Sequence, residues 1–466
     1  MLSAFCRALA VLLGVVAFTL PATAAAKKAA TAKPKAEAPK TEKWVTTWAA
    51  SVQGPYPIGN PSAQPVLKFA FPAPESGARD QSFRLILQPE LWGQKMRLRL
   101  SNVFGTRPVS FDSIYVGLQQ ASATVVAGTN RPVTVGNKPG VTIPPGEFVW
   151  SDVVTLPFVT DPKTLAGRKL AVSFHVAGES GPMTWHAKAL QTSYVSAPGS
   201  GAKSQAEDES AFPYSTASWY FLDAVDVQTQ AETRVIVCFG DSITDGTAST
   251  MNGDDRWPNV LSRRLADSGR RAAVINAGIG GNQVAGPSDY SPQKPFPGGP
   301  SAGARIERDV LNLSGVSAVI WLEGINDFSR NGNASAETVL ARMREIVAAM
   351  RKKQPGIKVF GATVVSALGS SSAAHGFPEQ EEKRQVLNQF IRNSGGVFDG
   401  VVDFDAATLD PNTGGLKPEF VPESTTGGPG DKLHPNRAGY LAMGNAIDLD
   451  MVMGKPAGPT VSARKK

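Results

Sequence analysis

The chain has 466 residues, 42% of them hydrophobic, and a formal net charge of +7. Its length suggests two or three domains, and its apolar content is sufficient for a buried core. The positive charge is concentrated in Arg7, the segment 25–43 and Arg464–Lys466, so residues 44–463 carry a formal charge of −1. A nucleic-acid-binding surface is therefore not expected on the body of the protein.

The first 26 residues have the features of a secretory signal peptide. Arg7 precedes the apolar run Ala8–Leu20, and small residues typical of a cleavage site end at Ala24 or Ala26. The apolar run is shorter than the roughly 20 residues that span a bilayer. We therefore expect an exported protein, periplasmic or extracellular, without a membrane span.

The ends of the mature chain are predicted to lie outside its globular part. Residues 27–43 are mostly Ala, Lys, Pro, Glu and Thr, a composition that predicts a disordered linker. Residues 456–466 are predicted to form a basic C-terminal tail. Between these segments the pattern of apolar residues changes near residue 228, which predicts two domains.

The first domain, residues 44–228, is predicted to be an all-β, jelly-roll-like sandwich. Apolar and polar residues alternate in the stretches 96–100, 109–118, 148–156 and 169–175. Clusters of Gly, Pro, Asn and Asp separate these stretches, as turns separate the strands of a sandwich.

The second domain, residues 229–455, is predicted to be an α/β domain with a parallel sheet. Five short apolar strands alternate with amphipathic helical segments. The predicted strands are 235–239, 273–276, 318–322, 359–364 and 401–404. This alternation is typical of a parallel sheet covered on both faces by helices. Such sheets hold their ligands at the carboxyl ends of the strands.

Three polar segments directly follow predicted strands of this domain. Ser242 lies in the glycine-flanked run 240–246, where a sharp turn would expose its hydroxyl group. Gly281 lies in a glycine-rich loop whose free backbone N–H groups could stabilise an oxyanion, and Asn326 could donate its side-chain amide to the same charge. Each segment alone has a plain alternative, a tight turn or a helix cap.

A fourth segment supplies a base with its orienting acid. Asp431 precedes His434 by three residues, so within one turn its carboxylate can reach the Nδ1–H group of that histidine. The Nε2 atom is then free to accept a proton from a serine. The remaining histidines, His175, His186 and His375, have no acid so placed and are predicted to be structural or superficial.

These segments resemble the four blocks of the SGNH (GDSL-type) hydrolases. The resemblance implies Ser242 as nucleophile, His434 and Asp431 as its triad partners, and Ser242, Gly281 and Asn326 as the oxyanion hole. The branch with bacterial xylanase-associated acetylesterases is the most similar one, and Ile243 replaces the family's usual Leu. A flavodoxin-like three-layer domain that needs neither cofactor nor metal is implied.

The favoured function is a serine esterase that removes acetyl or other short acyl groups from carbohydrate. Long loops at 285–304, 366–379 and 411–430 are expected to surround the site. Two alternatives stay open: a lipase-like or thioesterase activity on longer acyl chains, and a glycan-binding protein with an inactive hydrolase domain. Acyl length, the alcohol, the role of the first domain and the oligomeric state are not indicated by the sequence.

Overall fold

The computed structural model of the chain describes residues 41–59 and 67–455. The predicted signal peptide, the predicted C-terminal tail and the predicted linker up to residue 40 lie outside these residues. The last residues assigned to the linker are described, and Glu42 and Lys43 begin the first strand instead of a disordered segment.

The N-terminal region consists of antiparallel strands joined by short loops. Its strands are β1 (Glu42–Ala49), β2 (Arg79–Leu87), β3 (Lys95–Ser101), β4 (Val109–Ala121), β5 (Thr124–Val125), β6 (Arg131–Pro132), β7 (Val141–Ile143), β8 (Phe148–Trp150), β9 (Val154–Thr155), β10 (Leu170–Glu179), β11 (Trp185–His186), β12 (Ser193–Val195), β13 (Tyr214–Thr216), β14 (Trp219–Tyr220) and β15 (Leu222–Gln230). One sheet has the order β1-β15-β3-β8, and β9 also pairs with β3. A second has the order β13-β12-β2-β10-β4-β5, with β6 and β7 paired to β4, and β11 pairs with β14 alone.

An aromatic core joins the two larger antiparallel sheets. The rings of Phe83, Phe111 and Phe174, from β2, β4 and β10, lie 6.0, 5.5 and 6.2 Å from the ring of Phe221. Phe221 directly precedes β15 of the other sheet and is fully buried. Inward-facing aromatic side chains from both sheets thus fill one core, in agreement with the predicted β domain.

A five-stranded parallel sheet forms the centre of the C-terminal region. Its strands are β16 (Arg234–Gly240), β17 (Ala272–Gly278), β18 (Val316–Leu322), β19 (Lys358–Ala362) and β20 (Gly400–Val402). Their order is β17-β16-β18-β19-β20, and each neighbouring pair is parallel. These strands coincide closely with the five apolar runs predicted from the sequence.

The helices of this region follow the strands in alternation. They are α1 (Ser242–Asp245), α2 (Trp257–Asp267), α3 (Ala302–Ile306, continued by a π-helical turn, Glu307–Leu311), α4 (Ala336–Lys353), α5 (Pro378–Arg392), α6 (Phe404–Thr408), α7 (Arg437–Ala446) and α8 (Leu449–Met453). Short 3-10 turns occur at Pro74–Ser76, Pro162–Leu165 and Pro418–Phe420. None of the helices within 41–59 and 67–455 combines the length and apolar character needed to cross a membrane.

The longest helix shows how the sequence selects these elements. The Ser335 side chain caps α4 by accepting the N–H group of Thr338. Val339, Met343 and Ile346 recur at helical spacing and are buried on one face. In β16, by contrast, every residue from Val235 to Gly240 is buried, as expected for a central strand of a covered parallel sheet.

Buried hydrogen bonds connect the two regions, which belong to one compact unit. Thr46 of β1 and Ser314, just before β18, exchange bonds: each accepts an N–H group of the other, at 2.9 Å. The carboxylate of Asp226 accepts the hydroxyl groups of both Thr46 and Ser314 at 2.8 and 2.7 Å. The edge of the N-terminal sheet is therefore tied to the parallel sheet through satisfied polar groups.

Candidate active site

Ser242 lies at the carboxyl end of β16, an interior strand of the parallel sheet. Asp241 caps the short helix α1 by accepting the N–H group of Ile243 at 2.9 Å, which turns the chain sharply after β16. Gly240 is required at this turn, because a Cβ atom there would lie 2.2 Å from the carbonyl oxygen of Leu322. Ser242 thus begins α1 immediately beside the end of β18.

The structure brings Ser242, His434 and Asp431 together in one hydrogen-bonded chain. The Ser242 Oγ atom is 2.8 Å from His434 Nε2, and His434 Nδ1 is 2.6 Å from an Asp431 carboxylate oxygen. An ionised carboxylate only accepts hydrogen bonds, so Nδ1 carries the proton and Nε2 accepts the serine hydroxyl. Proton transfer from Ser242 to His434 therefore requires no rearrangement of either side chain.

The carboxylate of Asp431 is fixed by the turn that contains the histidine. Its second oxygen accepts the N–H groups of Leu433 and His434, each at 2.9 Å. Lys432 has a φ of 56°, in the left-handed region, which bends the chain so that these groups converge. Partial burial opposes ionisation, but the bonds and charge of His434 hold the pKa of Asp431 well below its usual range.

The three predicted oxyanion donors follow β16, β17 and β18, whose carboxyl ends are adjacent in the sheet. Within the described residues, the backbone N–H groups of Ser242 and Gly281 donate to no protein acceptor. Asn326 is buried, and one hydrogen of its amide is used to donate to the carbonyl of Asn282 at 3.0 Å. Its second amide hydrogen stays available for a ligand.

A buried arginine that the sequence analysis missed holds the two strand ends together. Arg305 is fully buried and donates to the carbonyl groups of Gly240 and Ala277 at 2.7 and 2.8 Å. It also donates to the side-chain oxygen of Asn282 at 2.7 Å, and Asp309 balances its charge at 3.1 Å. No sequence motif indicated Arg305, because its role depends on contacts with residues that are distant from it in the sequence.

Asp327 fastens the continuation of the glycine-rich loop. Its two carboxylate oxygens accept the N–H groups of Val284 and Ala285 at 2.9 and 2.7 Å. Burial raises the pKa of Asp327 to about 7, against the effect of these two bonds. The loop is therefore held at two points directly after Gly281, by Arg305 through Asn282 and by Asp327 through Val284 and Ala285.

Two of the remaining histidines lie close to the predicted site residues. His186 is buried rather than superficial, and its Nε2 atom is 3.1 Å from Asp245 at the end of α1. His375 is half-buried, and burial together with the charge of His434 lowers its pKa to about 4. His175 is structural: it contacts Asp112 and Asp80 at 2.6 and 3.1 Å.

Cys238 lies in the middle of β16, fully buried, and forms no disulfide among the described residues. Burial raises the pKa of its thiol well above the usual value, so it has the character of a packing residue. Among residues 41–59 and 67–455, no three His, Cys, Asp or Glu side chains are arranged as a metal site.

A family model provides the independent identification of this region. Residues 238–442, which include Ser242, Gly281, Asn326, Asp431 and His434, match the GDSL-like lipase/acylhydrolase family. Residues 238–442 therefore form a GDSL-like acylhydrolase domain, and the protein is a serine ester hydrolase.

Several solved structures are similar to 46–48% of the chain. A carbohydrate acetylesterase family member from Sinorhizobium meliloti has 19% sequence identity and a TM-score of 0.36, over 48% of this chain and 100% of that chain. A putative arylesterase from Agrobacterium tumefaciens has 20% identity and a TM-score of 0.35, over 46% and 95%. The lipase/acylhydrolase from Enterococcus faecalis has 26% identity and a TM-score of 0.32, over 46% and 93%. A comparison with curated proteins yields no match.

Proposed function

We propose that this protein is an exported esterase that removes acetyl or other short acyl groups from carbohydrate. Ser242 is the nucleophile, His434 the general base and acid, and Asp431 the group that orients the histidine. The observation that carries the proposal is the unbroken chain of short hydrogen bonds from Ser242 to Asp431 beside two free backbone N–H groups. These are the parts that acyl transfer through a covalent intermediate requires.

The reaction follows from the positions of these atoms. His434 Nε2 takes the hydroxyl proton as Ser242 Oγ attacks the ester carbonyl carbon, and the carbonyl oxygen becomes an oxyanion. The N–H groups of Ser242 and Gly281 and the amide of Asn326 stabilise that charge. The imidazolium of His434 then protonates the leaving alcohol. Water, deprotonated by the same histidine, releases the acyl group and restores the free serine.

The surroundings of the triad favour a hydroxylated substrate. The loop 366–379 reaches the triad through the hydroxyl group of Ser370 and the backbone N–H group of Ser371, which donate to the carbonyl of Asp431 at 2.7 and 3.0 Å. Thr425, from the loop 411–430, donates to the carbonyl of Ser249, a few residues after the nucleophile, at 2.6 Å. Loops rich in hydroxyl groups and glycine are suited to hydrogen bonding with a sugar. The sequence resemblance to xylanase-associated acetylesterases favours the same substrate class.

Replacing the nucleophile tests the reaction directly. Ser242→Ala should remove hydrolysis of p-nitrophenyl acetate, because the proposed reaction passes through an acyl-enzyme formed on the hydroxyl group of Ser242. Ser317→Ala is the matched control: among the described residues, the side chain of this partly buried serine on β18 forms one hydrogen bond, to the carbonyl of Val235 at 3.3 Å. Full activity in Ser242→Ala, or equal losses in both variants, would remove Ser242 from the mechanism.

One cavity favours a second candidate, hydrolysis of longer acyl chains. A cavity of about 510 Å³ borders Lys432, next to the triad acid, and its mostly apolar lining includes Leu368, Leu416 and Val421. A volume of this size could hold an alkyl chain. Rates on p-nitrophenyl esters of graded length distinguish the two candidates: we expect the acetate to be the best substrate.

A cavity-filling variant sharpens this choice. Leu368→Trp should leave acetate hydrolysis unchanged if the cavity does not receive the acyl group. A selective loss of activity on long-chain esters in Leu368→Trp, together with a long-chain preference in the wild type, would favour the lipase-like candidate.

Acetylated xylan and pectin should release acetate when incubated with the enzyme. Binding to these polymers without release of acetate would instead support the glycan-binding interpretation.

The proposal also covers location and the finer architecture. The basic start, apolar run and Ala-rich cleavage site of residues 1–26 support export to the periplasm or beyond. Cell fractionation should find the mature protein outside the cytoplasm, whereas a variant that lacks Ala8–Leu20 should stay in the cytoplasm.

We further propose that the parallel sheet is the middle layer of a flavodoxin-like domain, and that the N-terminal sheets form a jelly-roll-like sandwich.

A further inference from the structure

One of the links between the N-terminal region and the active site is a buried histidine, His186. His186 belongs to β11 and is only 3% exposed. Its Nδ1 atom is 2.8 Å from the carbonyl oxygen of Ser51, and its Nε2 atom is 3.1 Å from a carboxylate oxygen of Asp245. Ser51 follows β1, whereas Asp245 is the last residue of α1, the short helix that begins at Ser242.

The second carboxylate oxygen of Asp245 continues this link to the glycine-rich loop. It accepts the N–H group of Gly280 at 3.2 Å. Asp245 is 1% exposed, so this bond is shielded from water. Gly280 immediately precedes Gly281, the residue to which we assign a backbone oxyanion donor. Asp245 therefore fixes in part the orientation of the Ile279–Gly280 peptide, which directly precedes the peptide that carries the Gly281 N–H group.

The surroundings leave Asp245 little freedom to move without the glycine-rich loop. A Cβ atom on Gly278, at the end of β17, would lie 2.2 Å from the backbone nitrogen of Asp245. The side-chain amide of Asn276 donates to the carbonyl of Thr244 at 2.7 Å. Helix α1 and the end of β17 are thus packed backbone against backbone, and only the side chain of Asp245 can rotate.

Both nitrogens of His186 face acceptors, and this determines its hydrogen-bonding state. The Ser51 carbonyl can only accept, and so can the ionised carboxylate of Asp245. An imidazolium donates to both, whereas a neutral ring must leave one contact without a proton. Burial opposes the charge, but the carboxylate of Asp245 outweighs it and raises the pKa of His186.

We infer that His186 is a positioning residue for the oxyanion hole: it holds the carboxylate of Asp245, which in turn holds the N–H group of Gly280, the residue before Gly281. This inference rests on the proposed function and assigns to the N-terminal region a part in catalysis. Nothing in the four sequence blocks indicates it, since His186 and Asp245 are far apart in sequence and one of them lies in the other region.

Two conservative variants of His186 separate its two contacts. Gln places a donor near the position of Nε2 and can retain the bond to Asp245. Asn places a donor near the position of Nδ1 and can retain only the bond to Ser51. We expect His186→Gln to keep kcat for p-nitrophenyl acetate close to that of the wild type. His186→Asn should lower kcat by about ten- to a hundredfold with little change in KM, as misplacement of a catalytic group does.

Asp245→Ala provides a second route to the same effect. It removes the acceptor of the Gly280 N–H group, so its kcat should fall as far as that of His186→Asn. The double variant should fall no further than either single variant, because both changes interrupt one chain of contacts. Independent roles would instead give losses that multiply.

His175→Asn is the matched control for the loss of a buried histidine. This residue is also 3% exposed and contacts two carboxylates, those of Asp112 and Asp80, but neither belongs to helix α1 or to the glycine-rich loop. We expect a lower melting temperature and an unchanged kcat in this variant. If His186→Gln and His186→Asn lose kcat equally and in proportion to their melting temperatures, the role of His186 is structural only and the inference fails.

The Ser242→Ala variant in the same assay separates this inference from the proposed function. An active Ser242→Ala enzyme would contradict the proposed function itself. An inactive Ser242→Ala enzyme, with wild-type kcat in both His186→Asn and Asp245→Ala, would contradict only the role of His186. Should His186→Asn not fold, the comparison of Asp245→Ala with Asp245→Asn decides, because Asn keeps an acceptor for Gly280 and Ala does not.

Discussion

The N-terminal and C-terminal regions both bury arginine and carboxylate side chains, but to different ends. In the N-terminal region, Arg99 and Asp223 are both buried, with their atoms 2.6 Å apart, and they join β3 to β15. In the C-terminal region, the fully buried Arg305 binds the carbonyl groups at the ends of β16 and β17. A buried cation within an antiparallel sheet stabilises the scaffold, whereas one at the carboxyl ends of parallel strands shapes a site. Position in the fold, more than residue type, decides the role.

After removal of the nucleophile itself, the largest expected effect comes from a change that keeps the shape of the triad. In Asp431→Asn, the backbone N–H groups of Leu433 and His434 still require an oxygen, so the amide nitrogen must face His434 Nδ1. That nitrogen donates, which forces the histidine proton onto Nε2 and blocks acceptance from Ser242. We expect kcat to fall by about 10⁴-fold, the scale seen when a triad histidine is held in the wrong tautomer.

Asp431→Ala is the control for this tautomer argument. Without an amide to impose the wrong tautomer, it should lose less kcat than Asp431→Asn, although the turn is less stable. A greater loss in Asp431→Ala would show that the carboxylate acts mainly through the turn.

The stability contributed by Asp431 should depend on pH in a defined direction. The folded-state pKa of this carboxyl group is lowered, so its contribution is complete above the unfolded value of about 4. The contribution is then lost as the pH falls through the folded-state pKa. The difference in free energy of unfolding between wild type and Asp431→Asn, measured with urea, should therefore shrink below about pH 4. A constant difference from neutral to acidic pH would contradict the pairing with His434.

A smaller loss is expected at the oxyanion hole. Asn326→Ala removes one of three proposed donors and should lower kcat by roughly 100- to 1000-fold, with a much smaller change in KM. Asn326→Asp, of the same size, should be at least as impaired, because a carboxylate beside the developing charge repels it. Steady-state kinetics on p-nitrophenyl acetate measures both variants, and wild-type kcat in Asn326→Ala would exclude the residue from the hole.

Loss of the buried ion pair between Arg99 and Asp223 in the N-terminal region should leave catalysis intact. Arg99→Met leaves Asp223 buried without its cation, which should cost about 3–5 kcal/mol of stability but no kcat per folded molecule. Burial already raises the pKa of Asp223, so the penalty should be largest at neutral pH and diminish on acidification as the carboxyl group takes up a proton. Adding Asp223→Asn should recover part of the loss. A fall in kcat at unchanged stability would contradict the contrast drawn between the two regions.

The sequence predicted those features that local patterns determine. The apolar runs of β16 to β20, the turn after Val235–Phe239 and the spacing of Asp431 and His434 each need only neighbouring residues. Because the carboxyl ends of parallel strands meet at one edge, the same patterns also predicted that Ser242, Gly281 and Asn326 converge. The GDSL-like family match covers these residues, while their catalytic roles stay proposals.

What the sequence did not predict depends on contacts between distant segments. Arg305 lies in an ordinary helical stretch, and only the fold shows that its guanidinium reaches the carbonyls of Gly240 and Ala277. His186 was predicted to be structural or superficial because no acid lies near it in sequence, whereas the fold supplies Asp245 from another region. Glu42 and Lys43 were assigned to a disordered linker on composition, but pairing with β15 makes them part of β1.

Covalent trapping of the nucleophile tests the central claim most directly. A p-nitrophenyl alkylphosphonate should phosphonylate the serine that attacks its phosphorus atom, with release of p-nitrophenolate, and the adduct can be located by peptide mass mapping. We expect one adduct, on Ser242, with labelling abolished in Ser242→Ala and strongly slowed in His434→Ala. An adduct on a different serine, or labelling of Ser242→Ala at the wild-type rate, would contradict the assignment of Ser242 as the nucleophile.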